Sequence, residues 1–294
     1  MEQPEYPDAF VMADASSAWG QRTHLRQTKL QMALLVAGAI AGTLSFPVGN
    51  GLELPGIVAT VLFVLALFLN AHRASTSPVT AWYQGRAAAE SIKTMAWRYA
   101  VGGEPFSTSL SQREADDIFS ERLVELLGAT QPVKVSVEGS GEQITGWMRT
   151  TRALDLEARR ALYDAYRLLD QQRWYSHKAA DAAAKASRWN TALLGTELLG
   201  VVAGAMKAFS WPDLVWTTTD FVGVAATLAA VFATWTQTKQ FGQLAAAYSL
   251  AYQELSTIRI RAQHPSDEQA WANFVDSAEG AISREHSMWV SNRR

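Results

Sequence analysis

The sequence predicts a mainly α, integral membrane fold: two transmembrane helical hairpins (four spans), extended by long cytoplasmic helices, with room for one short β-hairpin. Three observations predict it. Four apolar runs occur as two pairs, each run long enough to cross a hydrocarbon core of about 30 Å as a helix of roughly 18 residues or more. Each pair closes on a short link bearing Pro with Gly or Trp, and the open ends of both pairs carry Arg and Lys. Mean hydropathy is −0.05, the value of a chain in which a few spans alternate with large polar segments.

Taken in order, residues 1–12 read as a loose polar arm, and a helical pattern starts at Ala13. Arg22, Arg26 and Lys29 lead into the first apolar run, which ends in the Pro/Gly turn between Pro47 and Gly56. Ile57 to Ala71 returns, and His72 and Arg73 follow. The second pair is WNTALLGTELLGVVAGAM between Arg188 and Lys207 and FVGVAATLAAVFATWTQT between Asp220 and Lys239. Its link holds Pro212, Trp211 and Trp216, residues suited to a membrane–water boundary. The domain boundaries that follow are the arm over 1–12 and two two-span units. The first covers 13–148 with spans at about 30–47 and 56–72, the second 149–294 with spans at about 189–208 and 218–237. A soluble bundle with four buried core helices is the alternative, disfavoured because each run is bounded by charge.

Arg22, Arg26, Lys29, Arg73 and Arg86 flank hairpin one, and Lys178, Lys185, Arg188 and Lys239 flank hairpin two. The links offer Glu53, Lys207, Asp213 and Asp220, so the positive-inside rule puts both termini and the long middle segment in the cytoplasm.

Between the hairpins, Trp82, Gly85, Ala89, Ile92, Ala96 and Tyr99 recur at helical steps as one packed face, with Arg86, Glu90, Lys93 and Trp97 on another. Gly102, Gly103 and Pro105 stop this helix, and a second spans Gln112 to Leu127. VKVSVEGSGEQITGWM alternates around EGSG and fits a short β-hairpin; its GSG reads as a turn rather than a phosphate loop, since no P-loop Lys follows. From Thr151 the pattern is helical without Gly or Pro until Gly195, so span three should continue into the cytoplasm, and span four likewise past Lys239. Pro265 and Ser266 restart the chain, with Ser266 as N-cap of a last helix whose Trp271, Phe274, Ala278, Ile282 and Trp289 share a side. Both halves repeat one plan, including GxxxG pairs at Gly38/Gly42 and Gly200/Gly204 and the segments GRAAAES at Gly85 and GQLAAAY at Gly242.

Three strings, WYQGRAAAESIKTMAWRYAVGGEPF, QITGWMRTTRALDLEARRALYDAYRLLDQQRWYSHKA and ISREHSMWVSNRR, resemble the SLATT family in its fused double-unit form. SLATT domains are bacterial two-span domains found beside nucleotide-synthesising SMODS and nucleotide-sensing SLOG proteins. The resemblance implies a defence-associated effector of the bacterial inner membrane that forms pores on a nucleotide signal or infection, without catalytic residues or a cofactor.

The residues themselves yield few chemical sites. Glu197 stands out as the charge inside a span, where a carboxylate costs about 2.5–3.5 kcal/mol on insertion scales. It is the candidate pore-lining group, with Thr196 and Gly200 beside it; a protonated, hydrogen-bonded interhelical Glu is the plainer reading. Gly38, Gly42, Gly200 and Gly204 are helix-packing candidates. Arg86, Glu90, Lys93 and Trp97, with Arg160, Tyr163, Arg167, Asp170, Gln171 and Trp174, form a cytoplasmic polar cluster, read as an inter-unit contact or a phosphate-ligand site. Cysteine is absent and the five histidines lack metal-binding spacing, so no metal site, cofactor or enzyme is expected. A net charge of −2 gives no basic field for nucleic acid. The partners expected are the lipid membrane, further copies of the chain, and a nucleotide second messenger or nucleotide-signalling protein. The function expected is a gated homo-oligomeric pore or ion channel, with a non-conducting membrane scaffold or sensor as the alternative.

Overall fold

The computed structural model describes residues 3–44, 47–48, 52–129, 141–209 and 220–291. The fold is mainly α. In chain order come α1 (Asp8–Gly42), a two-stranded ribbon of β1 (Pro47–Val48) and β2 (Leu52–Glu53), α2 (Leu54–Thr76), α3 (Pro78–Val101), α4 (Gln112–Ala129), α5 (Gly146–Arg152) and α6 (Leu156–Tyr163). After a π-helical segment (Asp164–Leu169) follow α7 (Asp170–Ala208), α8 (Phe221–Lys239), α9 (Phe241–Arg261) and α10 (Glu268–Ser291). The strands pair antiparallel, Pro47 opposite Glu53, in the link of hairpin one. The first half of the sequence stretch 133–148 expected as a β-hairpin lies outside the described residues, but its end, from Gly146, is helical: Thr145 caps α5 by accepting from the Met148 N–H at 3.3 Å.

The chain divides into two compact units that cut across the sequence repeat. Unit 1 gathers residues 1–22, 78–178 and 247–294, and unit 2 gathers 23–77 and 179–246.

In unit 1, α3 is the central element. Its predicted face is buried throughout, and Gly102, at φ 74 after Val101, ends it in the left-handed conformation that glycine adopts without strain. Trp97 meets Trp147 and Tyr163 edge-on at 5.1 and 5.8 Å, and Tyr163 meets Trp271 at 5.7 Å. Such pairs add about 0.5–1.5 kcal/mol each beyond their buried area. The Trp271 indole donates to the Val101 carbonyl at 2.8 Å, which anchors α10 on the end of α3. α1 lies so close to α3 that a Cβ on Gly20 would stand 2.5 Å from the Trp82 nitrogen, and one on Gly85 would stand 2.7 Å from the Ser17 nitrogen.

Several expectations need correction here. The first helix starts at Asp8 rather than Ala13, and the segment before it is held: Tyr6 accepts from the Trp97 indole at 3.1 Å, and the Glu5 carbonyl accepts from Thr145 at 3.1 Å. The helix expected to run unbroken from Thr151 is interrupted, because Asp155 caps a new one by accepting from the Ala158 N–H at 2.8 Å. The N-cap of α10 is Asp267, accepting from the Ala270 N–H at 2.8 Å, not Ser266. Span four does not run straight on: Gln240, at φ 49, separates α8 from α9, as Ser77, at φ 42, separates α2 from α3. The matched G-x-x-A-A segments also differ in use, since a Cβ on Gly85 would run into α1 backbone while one on Gly242 would meet nothing within 4 Å among the described residues.

Unit 2 holds the C-terminal part of α1, α2, most of α7, and α8. Three helical stretches among the described residues carry windows apolar enough to cross a membrane: Leu54–Val101, Leu156–Ala208 and Phe221–Arg261, with window hydropathies of 2.3, 1.3 and 1.3. Burial within the chain covers little of these windows, so the apolar surface is turned outward, as for helices solvated by lipid.

Candidate functional site

Glu197 lies on the outer surface of α7, flanked by Leu194, Leu198, Leu199 and Val201, which are 63–69% exposed. Thr196 is buried and donates back to the Leu193 carbonyl at 2.7 Å, the local bond a hydroxyl makes when the surrounding helix surface is apolar. Gly200, one turn on from Thr196, shares its face and packs on the Ala225 methyl of α8, 3.6 Å from its Cβ position. The three pore-lining candidates therefore point two ways: Thr196 and Gly200 into the α7–α8 contact, Glu197 out of it. The packing glycines split similarly. A Cβ on Gly38 would stand 3.3 Å from the Phe63 ring, whereas one on Gly42 or Gly204 would meet nothing within 4 Å among the described residues.

The residues of the expected polar cluster all fall inside unit 1. Arg86 and Lys93 both reach Glu90, at 2.8 and 3.2 Å. Beneath them the fully buried Glu279 of α10 accepts from Arg167 Nη2 at 2.6 Å and Nε at 2.8 Å, from Tyr163 at 2.9 Å, and from Thr94 at 2.9 Å. Burial works against the Arg167 charge, and the Glu279 carboxylate overrides it, so the guanidinium holds its proton more tightly than usual. Burial, and then the Glu279 charge, pushes the Tyr163 hydroxyl well above its ordinary range. Burial pulls the Lys93 ammonium down, with Glu90 opposing and Arg167 adding to the fall. A buried pair satisfied on both sides is expensive to break, because the group left behind has no water to turn to.

Glu279 is the member that sequence reading missed. It falls on the apolar stripe of α10 with Trp271, Val275, Ala278 and Ile282, and a carboxylate inside such a stripe was the available signal. Arg159 was missed as well: its side chain is buried, donating to the Val101 carbonyl at 2.8 Å and the Leu154 carbonyl at 3.0 Å and pairing with Glu268. Arg160 joins Glu157 at 3.1 Å and the Pro265 carbonyl, while Asp170 is exposed. Gln171 is buried. Trp174 meets Tyr248 edge-on at 5.4 Å and borders a cavity of about 270 Å³ with Trp82, Arg86, Lys178 and Asp14. Two cations and several aromatic faces give that cavity the chemistry to hold a planar anion.

Comparison with curated proteins and with solved structures gave no match. Family comparison matched residues 7–160 to SMODS and SLOG-associating 2TM effector domain 3, and residues 163–289 to effector domain 1 of the same series. Both halves contribute to one interior, since Thr94 and Trp97 come from the first match and Tyr163, Arg167 and Glu279 from the second. The chain is thus an integral membrane protein that belongs to the SLATT family of two-transmembrane effector domains and carries two such domains in tandem.

Proposed function

We propose that the protein is a homo-oligomeric pore or ion channel of the bacterial inner membrane, an effector of nucleotide-signalled or anti-phage defence gated by its cytoplasmic helices. Four spans cross the membrane in this reading, the first formed by the C-terminal part of α1, with both termini in the cytoplasm. The observation that carries it is the exposure of Glu197 among exposed leucines on a spanning helix. A carboxylate facing lipid costs about 2.5–3.5 kcal/mol. Copies of the chain arranged around an axis remove that cost by turning each Glu197 toward water, and the resulting acidic ring favours cations.

Gating follows from the helices shared by both functions. α7 carries Glu197 and, nearer its start, Trp174 beside the cavity of Arg86 and Lys178. A nucleotide messenger or a nucleotide-signalling protein bound there acts on the same helix that lines the path.

Single-channel recording from purified protein in planar bilayers tests the proposal, wild type beside Glu197→Gln. Current steps are expected, with cation preference reduced in the variant. Current of unchanged conductance and selectivity in Glu197→Gln moves the lining elsewhere. Silence maintained as candidate nucleotides are added leaves the non-conducting scaffold as the better account.

A further inference from the structure

A cavity of about 510 Å³ in unit 2 is walled by Lys185, Arg188 and Lys239 together with Trp189, Trp235 and Phe241. Its wall holds three cations and no carboxylate among the described residues, and Lys185 pairs with Asp181 at 2.6 Å. Lys239 Nζ lies 5.3 Å from the Trp235 ring centre, and Lys29 Nζ lies 5.7 Å from the same ring. The Trp235 indole N–H is buried without a hydrogen-bond partner among the described residues, although the residue is only 8% exposed. An indole can only donate, so this group needs an acceptor that the described protein does not supply.

The cavity's place in the hairpin says where the acceptor comes from. Lys185 and Arg188 stand just before the apolar run of α7, and Lys239 just after that of α8. The two helices are joined there by Trp189 against Phe232 at 5.6 Å and against Trp235 at 5.9 Å. One end of the hairpin thus collects cations and indoles at the height where hydrocarbon gives way to headgroups. At the far end, Lys207 faces the carboxylate of Asp220 at 3.8 Å instead.

We infer that this cavity binds the headgroup of an anionic glycerophospholipid, its phosphate set among Lys185, Arg188 and Lys239, with an oxygen accepting from the Trp235 indole. A lipid suits it better than a free anion, because α7, which lines the cavity, continues into an apolar run with Leu194, Leu198 and Leu199 exposed, along which an acyl chain can lie. The inference rests on membrane insertion, not on conduction, so currents without lipid retention would sink it and leave the pore reading intact.

The test is lipid retention by the purified full chain, measured by native mass spectrometry from micelles mixing phosphatidylglycerol and phosphatidylcholine. Phosphatidylglycerol should stay bound preferentially. A cation beside an anionic headgroup is worth about five-fold in binding, so Arg188→Gln with Lys239→Gln should lower retention about twenty-fold. Lys207→Gln should change it less than about two-fold. Trp235→Phe keeps the ring, removes only the N–H, and should cost about five-fold; it decides alone if the double variant does not fold. Equal retention in the folded variants, equal loss in Lys207→Gln, or displacement of the lipid by millimolar inorganic phosphate would each overturn the assignment.

Discussion

In unit 1 the large side chains face inward: Trp97, Tyr99, Tyr163 and Trp271 are fully buried, and the charges among them are matched by Glu279 and Glu90. In unit 2 the large side chains face outward: Leu67, Phe68, Leu194, Leu198 and Val201 are each 64–70% exposed. The same chain therefore uses two solvents. Unit 1 buries its large aromatic side chains within its own chain, while unit 2 turns much of its apolar surface outward, as for hydrocarbon. The difference sets where a substitution acts: in unit 1 on folding of the single chain, in unit 2 on contact with lipid.

The largest effect should come from breaking the ion pair at the centre of unit 1. Arg167→Ala leaves Glu279 buried with only Tyr163 and Thr94, and should cost about 3–5 kcal/mol of stability. Thermal unfolding of the detergent-solubilised chain, followed by tryptophan fluorescence, reads this directly. Replacing both partners, Arg167→Met with Glu279→Leu, should cost less than Arg167→Ala alone, because no orphan charge remains. A single variant that melts with wild type would show the pair to be dispensable.

A smaller effect should separate the glycines of the two units. A methyl at Gly85 meets Ala13 and Ser17 backbone atoms at 2.8 and 2.7 Å, and backbone cannot rotate away. Gly85→Ala should therefore cost about 1–3 kcal/mol through overpacking. Gly204→Ala meets nothing within 4 Å among the described residues and should leave the melting of the isolated chain unchanged. If Gly204→Ala instead lowers the cross-linked oligomer fraction while melting stays put, that open face is a contact between copies. Comparable losses of stability in both variants would contradict the division drawn above.

This contrast also shows what was legible in the sequence. Helices, hairpins and the buried face of α3 follow from hydropathy and period, both of which are local. The breaks at Asp155 and Gln240 are less visible, because neither is Gly or Pro and each carries a capping bond, whereas Pro78 marks the break at Ser77. Glycine spacing pointed to the spans, yet the closest backbone approach is at Gly20 and Gly85 outside them, and it depends on which helix arrives opposite. The polar cluster was half visible for the same reason. Arg86, Glu90 and Lys93 are neighbours on one helix, but Arg167 and Glu279 are 112 residues apart and become partners only in the fold.

The smallest effect should appear as a pH dependence in unit 2. His24 is half-buried; burial, followed by the positive charges of Arg73 and Lys239, lowers its pKa below the ordinary 6.5. Above that value the imidazole is neutral in both folded and unfolded chains, so stability does not depend on it. As pH falls through 6.5 the unfolded chain takes up a proton that the folded chain resists, and stability drops until the lower folded pKa is passed. Solvent screening at a half-exposed site keeps the drop modest. Melting curves at about pH 7.5 and 5.5, wild type against His24→Asn, isolate it from the other histidines: the wild type should lose more between the two pH values than the variant. Equal losses would mean that the cations of unit 2 do not bear on His24, and a greater loss in the variant would reverse the sign of the coupling. A positive result would place a sensitive imidazole next to Lys239, so acidification would add charge beside the cavity whose cations hold anionic lipid.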